Sequence, residues 1–293
     1  MPACRDVFLG RVDPRLLTGI EFGPLSNPVV RKEEGEVYYV DYTDTEGLRK
    51  AFHSTPPHLI EEVDIVWSSG TPLLPRTGKL VDYVIANHVL EHIPDFLGWM
   101  QEMHAVLRIG GLLCLTLPDK RFTFDVGRPV STFGEVLENN VQKLTRPPLR
   151  ALLDQVGFGM SVNKASLWQA GPRSHIPFDH DRSALEEAIT YIARWTSSND
   201  YIDAHVWVFT PASFLETIEA LSMLGLFPFC VTFFLGTEEN EYDFHVHLES
   251  TRESSDTRIA ESIVSAKEMI SNSPAEKLYH SRGRFSNNVL AAQ

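Results

Sequence analysis

Sulfur is scarce in this chain of 293 residues: its three cysteines, Cys4, Cys114 and Cys230, are far apart and form no CxxC pair. Neither a zinc knuckle nor a disulfide framework is readable from that spacing. Long apolar runs are also missing. The longest, Leu224–Leu235, is too short to cross a bilayer and is interrupted by Pro228. The opening stretch MPACRDVFLGRVDPR has no secretory apolar region, so cytoplasmic residence is the expectation. Basic charge is in deficit, with 26 Lys and Arg against 39 Asp and Glu, a net charge of −13. Such a surface repels phosphate backbones and anionic lipid, so neither nucleic acid nor membrane is an expected partner. No GxGxxG follows the first strand-like run, which argues against a nicotinamide dehydrogenase. There is no internal repeat, and a homodimer is left open.

What is present is ordinary globular material, 43% apolar and 22% charged, enough to bury a full core without disulfides or a structural metal. After a short helical lead-in, strand-like and helix-like stretches alternate. Leu17–Phe22, Val37–Asp41, Val63–Trp67, Val81–Ala86 and Leu112–Leu117 are short apolar runs bounded by Gly, Pro, Asp or Asn. Such runs fit parallel strands covered on both faces. Asp95 is a good N-cap for a helix carrying Phe96, Met100, Met103 and Leu107, expected to stop at Gly110-Gly111. Residues 119–204 break the alternation with several prolines, many aromatics and the amphipathic stretches Leu149–Val156 and Ser183–Trp195. They read as a helical cap. Thr210-Pro211 then opens another helix, and Phe229–Leu235 and Tyr242–Leu248, joined by GTEENE, predict an antiparallel hairpin. The domain expectation is a core of 1–118 and 205–250, a helical cap or insertion at 119–204, and a polar tail at 251–293. Within the tail, Ile259, Ile263 and Ile270 allow a helix near 255–271.

Two acids stand at strand tips. In GIEFGPLSNP the first strand ends in Glu21, and Gly23 follows in a turn where a ligand can approach the backbone closely. The second strand ends in Asp41, at the position where a ribose diol is commonly held. An acid on each of these strands suits a nucleoside with a cationic or neutral tail and suits a pyrophosphate poorly.

Four segments together, IEFG at 20–23, Asp41, VDYVIANHVLEHIPD at 81–95 and LRIGGLLCLTLPD at 107–119, resemble a class I S-adenosylmethionine-dependent methyltransferase. The late hairpin and the runs LPDKRFTFD and HVWVFTP are similar to bacterial methyltransferase-domain proteins. The resemblance covers about 18–120 and 205–250. It implies an α/β, Rossmann-like class I methyltransferase fold: a mostly parallel seven-stranded sheet with an antiparallel C-terminal hairpin strand and a helical insertion. It also implies S-adenosyl-L-methionine as cofactor. By the same resemblance Glu21, Gly23 and Pro24 line its methionine and ribose part, and Asp41 holds the ribose hydroxyls. Tyr42 covers the adenine, Trp67, Ser68 and Ser69 sit at the adenine edge, and Asn87 and His88 face the methionine portion and the sulfonium. GPLSNP departs from the family pattern in carrying one glycine and two prolines. Only thirteen residues separate Gly23 from Val37, so the first crossover helix can be a turn or two at most.

The histidines bear on catalysis. His88, Glu91 and His92 have HxxEH spacing, which loosely resembles the ExxEH metal site of small-RNA 2′-O-methyltransferases. A third ligand is available from His175, His180 or His205. LEH after the fourth strand is also common in metal-free class I enzymes, where it caps and packs, and no metal is assigned on this reading. His205 follows the insertion directly and is the first candidate for a catalytic base. His180, between Asp179 and Asp181, is the second. The expected activity is methyl transfer to oxygen or nitrogen of a small-molecule or glycan-type acceptor. Its rivals are a non-catalytic methyltransferase-like partner subunit and a metal-dependent enzyme reusing the fold through His88, Glu91 and His92.

Overall fold

The structure is a computed structural model that describes residues 4–161, 163–170 and 182–280. His175 and His180 lie outside the described residues. Seven strands form one sheet: β1 (Thr18–Phe22), β2 (Glu36–Asp41), β3 (Ile65–Val66), β4 (Val81–Asn87), β5 (Leu107–Pro118), β6 (Phe229–Leu235) and β7 (Asp243–Ser250). Their order is β3-β2-β1-β4-β5-β7-β6. The first five run parallel, and β7 lies antiparallel between β5 and β6. The helices are α1 (Cys4–Leu9), α2 (Thr45–Ala51), α3 (Leu74–Thr77), α4 (Phe96–Val106), α5 (Phe133–Gln142), α6 (Leu149–Phe158), α7 (Lys164–Ala170), α8 (Arg182–Ser197), α9 (Pro211–Met223) and α10 (Thr257–Ser271). No described helix is long and apolar enough to cross a membrane.

Strand alternation divides the core in two. One face of the sheet presents Ile20, Phe22, Val40, Val84, Ala86, Leu113 and Leu115, and α4, α9 and α10 cover it. The other presents Val37, Tyr39, Tyr83, Ile85 and Cys114. Phe8 of α1 and Val29 and Val30 of the β1–β2 loop close it. That loop, residues 23–35, contains turns and no helix, so the short crossover expected from GPLSNP is shorter still. Tyr39 donates its hydroxyl to the Val30 carbonyl at 2.8 Å, and Arg5 bonds the Val29 carbonyl and Glu34. The loop thus does the covering that a helix performs in a regular βαβ unit.

Three further differences from the sequence reading have physical causes. First, α4 begins at the Asp95 cap, whose carboxylate accepts from the Gly98 amide at 2.8 Å. It ends at Val106, well before Gly110-Gly111, because Leu107 already pairs with Val81. Second, the helix expected near 255–271 forms as α10, but its Ile259, Ile263 and Ile270 are buried in the main core, so this part of the segment is core and not a polar tail. Third, the apolar run VWVF at 206–209, strand-like by its sequence, joins the sheet with no strand of its own, and its β-pairing is one isolated bridge between Phe209 and Asp119. The insertion after β5 is largely helical among its described residues, from α5 to α8. Its α8 is anchored to the start of α6: Arg146 donates to the Ser198 carbonyl and stacks on Trp195 at 4.1 Å.

Candidate active site

Register brings the strand tips to one level. Phe22 pairs with Val40 on one side and Ala86 on the other, so Gly23, Asp41 and Asn87 follow side by side at the carboxyl edge. This is where strand order reverses, between β1 and β4, and such a switch point is where ligands bind in open α/β sheets. Gly23 is exposed and left-handed, φ +60°, and a Cβ there would sit 3.2 Å from Val89. Its missing side chain leaves open the space beside Asp41 and Asn87.

Asp41 has one partner, the Tyr42 amide at 2.8 Å, and no cation beside it among the described residues. Burial pushes its carboxyl up to about 6, only partly offset by that amide. An acid held largely out of water with a vacant oxygen fits a hydroxyl pair such as a ribose diol. Tyr42 is half-exposed and stacks on Tyr201 with ring centroids 5.8 Å apart, forming an aromatic wall next to Asp41. These features fit the ribose and base end of S-adenosylmethionine, and the open turn at Gly23 fits its methionine end.

Other expected contacts are displaced. Glu21 is buried, and its two oxygens accept from the Val29 and Val30 amides at 2.6 and 3.0 Å. It therefore holds the β1–β2 loop that follows Gly23, and with 2% exposure it is closed off from a ligand at the strand tips. Burial raises its carboxyl to about 7 in spite of those two bonds. Trp67 is also buried. Its indole N–H donates to the Thr71 carbonyl at 2.8 Å and its ring meets Phe22 edge-on, so it is core and not an adenine edge. Pro24 is buried in the turn, with its carbonyl accepting from Asn27. Ser69 donates to the Leu144 carbonyl at 3.4 Å, while Ser68 is exposed.

Past β4 the chain does not continue as an α-helix. His88 is left-handed at φ +53°, and Leu90–His92 form one 3-10 turn. His88 and His92 are consequently not on one helical face. His88 Nε2 lies 3.1 Å from Asp243, and its Nδ1 lies 3.3 Å from Glu91 without hydrogen-bond alignment. Burial opposes the charge on His88, but these two carboxylates outweigh it and hold its pKa at about 9. Both ring nitrogens of His88 face carboxylates, so neither is free for the methionine portion that the resemblance has it face. Asn87 is half-buried at the tip of β4, level with Gly23.

Glu91 is 1% exposed, and neither of its carboxylate oxygens has a hydrogen-bond partner among the described residues. Its backbone carbonyl accepts from the Val206 and Trp207 amides, at 2.7 and 3.1 Å. These bonds bring the end of the insertion against the β4 turn and set His205 beside His92, rings nearly perpendicular at 4.8 Å. Burial disfavours the Glu91 charge, yet His88, His92 and His205 bring its pKa below the usual carboxylate range. Each imidazole of the pair is oriented by a carboxylate through Nδ1: His92 by Asp203 at 2.9 Å, His205 by Asp125 at 2.5 Å. Asp125 is buried and ion-paired to Arg128, which also donates to the His205 carbonyl. An imidazole fixed in this way presents Nε2, which can take a proton or a cation. HxxEH and the DAH of 203–205 were the sequence signals for this cluster. Nothing local pointed to Asp125, Arg128 or Tyr201.

A family profile described as a methyltransferase domain matches residues 53–220, more than half of the chain. The match begins after β2, so Gly23 and Asp41 fall outside it. No curated protein matches the chain in sequence. Among solved structures, an S-adenosylmethionine-dependent methyltransferase of Listeria monocytogenes is 13% identical. It covers 86% of this chain and 100% of its own, with a TM-score of 0.44. A SAM-dependent methyltransferase of Aquifex aeolicus is 11% identical and covers 85% of this chain and 89% of its own, with a TM-score of 0.40. With more than half its length matched to that family, and a seven-stranded sheet ending in an antiparallel hairpin, the chain belongs to the class I S-adenosylmethionine-dependent methyltransferases.

Proposed function

We propose that this enzyme moves the methyl group of S-adenosylmethionine to oxygen or nitrogen of a small-molecule or glycan-type acceptor. When bound, the cofactor supplies an electrophilic methyl carbon on a sulfonium. The protein's task is then chiefly alignment of acceptor, carbon and sulfur. Asp41 accepts hydrogen bonds from the ribose hydroxyls, the Tyr42–Tyr201 wall borders the adenine, and Gly23 with Asn87 admits the methionine portion. On the acceptor side stands His205, held by Asp125, and it is the residue we assign to acceptor activation. The insertion that delivers His205 leaves the sheet after β5, at the same carboxyl edge. His180 lies outside the described residues and is given no role.

The observation that carries this reading is the alignment of Asp41, Gly23 and Asn87 at the switch point, with the Glu91–His92–His205 cluster joined to β4 at the same edge. The acidic net charge supports an uncharged or cationic acceptor over a polyphosphate backbone. The test is a screen with methyl-labelled S-adenosylmethionine against hydroxyl- and amine-bearing metabolites and oligosaccharides. Label transfer to one of them supports the reading. Transfer only to RNA, DNA or protein contradicts it.

A further inference from the structure

We propose that Glu91, His92 and His205 form a binding site for one divalent transition-metal ion of the zinc type. Each contributes one ligand atom, and the three atoms lie within 4.8 Å of one another. A four-coordinate ion with bonds of about 2 Å spans ligand atoms roughly 3–4 Å apart, so small side-chain rotations complete the site.

Three independent features favour an ion over a packed cluster. Glu91 is 1% exposed, and among the described residues neither oxygen has a hydrogen bond; Oε1 has only the His88 imidazole at 3.3 Å as an ionic neighbour, an arrangement that buried carboxylates rarely tolerate without a metal or a full set of donors. Both imidazoles give Nδ1 to a carboxylate, Asp203 and Asp125. This is the outer-shell pattern that orients histidine ligands and leaves Nε2 for the metal. The two rings stand at 89° with centroids 4.8 Å apart, so the histidines converge from different directions without stacking, and their ligand atoms and that of Glu91 come together. Two imidazoles and one carboxylate suit zinc, cobalt, iron or manganese and suit calcium or magnesium poorly. His88 stays outside the ligand set: its Nε2 faces Asp243, and its Nδ1 faces Glu91 as an ionic neighbour. Three protein ligands leave a position open for an exogenous oxygen.

The test uses the full, tag-free chain, stripped with chelator and titrated with Zn²⁺ by calorimetry and with Co²⁺ by visible absorption. One ion per chain is expected, with Co²⁺ bands of low-symmetry coordination. His92→Ala and His205→Ala should abolish stoichiometric binding. Asp203, well exposed, gives a variant that folding tolerates: Asp203→Asn should weaken Zn²⁺ about 10–100-fold with an unchanged apo melting temperature. No stoichiometric binding by the wild-type chain overturns the proposal. So does binding that survives both histidine substitutions, which would place the ion elsewhere. Neither readout depends on methyl transfer, so this site and the proposed acceptor class are tested separately; an ion on Nε2 of His205 would occupy the lone pair that takes a proton, so His205 serves as a base only in the ion-free chain.

Discussion

Nδ1 of His205 lies 2.5 Å from Oδ2 of Asp125, and the other oxygen of Asp125 is locked to Arg128 at 2.8 Å. Asp125 is held ionised: burial opposes its charge, but His205 and Arg128 lower its pKa below the usual range. The imidazole is therefore the donor, and its orientation is inherited from a buried ion pair inside the insertion. His205→Ala should lower turnover by about 10²-fold or more and change S-adenosylhomocysteine affinity little. Steady-state kinetics beside calorimetry checks this; equal losses in both would return His205 to a packing role.

Asp125→Asn removes the charge opposite Arg128, and both side chains are 2% exposed. Breaking one side of a buried pair leaves the other uncompensated and costs about 3–5 kcal/mol. Urea unfolding should show that loss. Substituting both residues with apolar ones of similar volume should recover part of it.

Glu21 gives a pH signature of stability. Its folded pKa, about 7, lies above the ordinary carboxylate value of 4.5. Between these values the folded state binds more protons than the unfolded one. The stability contributed by the protonated carboxyl is fully present below pH 4.5 and is lost as pH rises through 7. Glu21→Gln should flatten this slope in denaturant midpoints measured across the window. A slope unchanged by the substitution would contradict the assignment.

Trp67 tests the core against the pocket. Packed against Phe22 and bonded to Thr71, it should cost about 3–5 kcal/mol on replacement by alanine. Trp67→Phe keeps most of the packing, and it should leave S-adenosylhomocysteine affinity within about twofold. A large affinity loss in Trp67→Phe would restore the adenine-edge role.

The sheet was legible because its strands are short apolar runs between turn residues. The helices α4 and α9 were legible because Asp95 and Thr210-Pro211 are local caps. Features fixed by distant partners were not. The end of α4 depends on Leu107 meeting Val81, and α10 became core only through β6 and α9. At the site, Asp41 and Gly23 could be found from strand-tip position alone. The hidden roles belong to residues whose partners lie far along the chain: Glu21 bound to the loop, His88 drawn to Asp243, and His205 set against Glu91. HxxEH suggests a helical face, but a left-handed His88 and a 3-10 turn separate its histidines.

Cofactor binding through Asp41 is the central claim, and calorimetric titration of S-adenosylhomocysteine against pH tests it most directly. Ribose hydroxyls donate to an ionised carboxylate, and Asp41 titrates near 6 in the free protein because burial raises it. Affinity should therefore rise from pH 5 to about 7 and then level off. Asp41→Ala should weaken binding by about 1.5–3 kcal/mol, roughly 10- to 150-fold, and remove the pH dependence near 6. Binding of one S-adenosylhomocysteine per chain with that profile is the predicted result. Absence of binding by the wild-type chain, or an affinity and pH profile that Asp41→Ala leaves unchanged, would contradict the account.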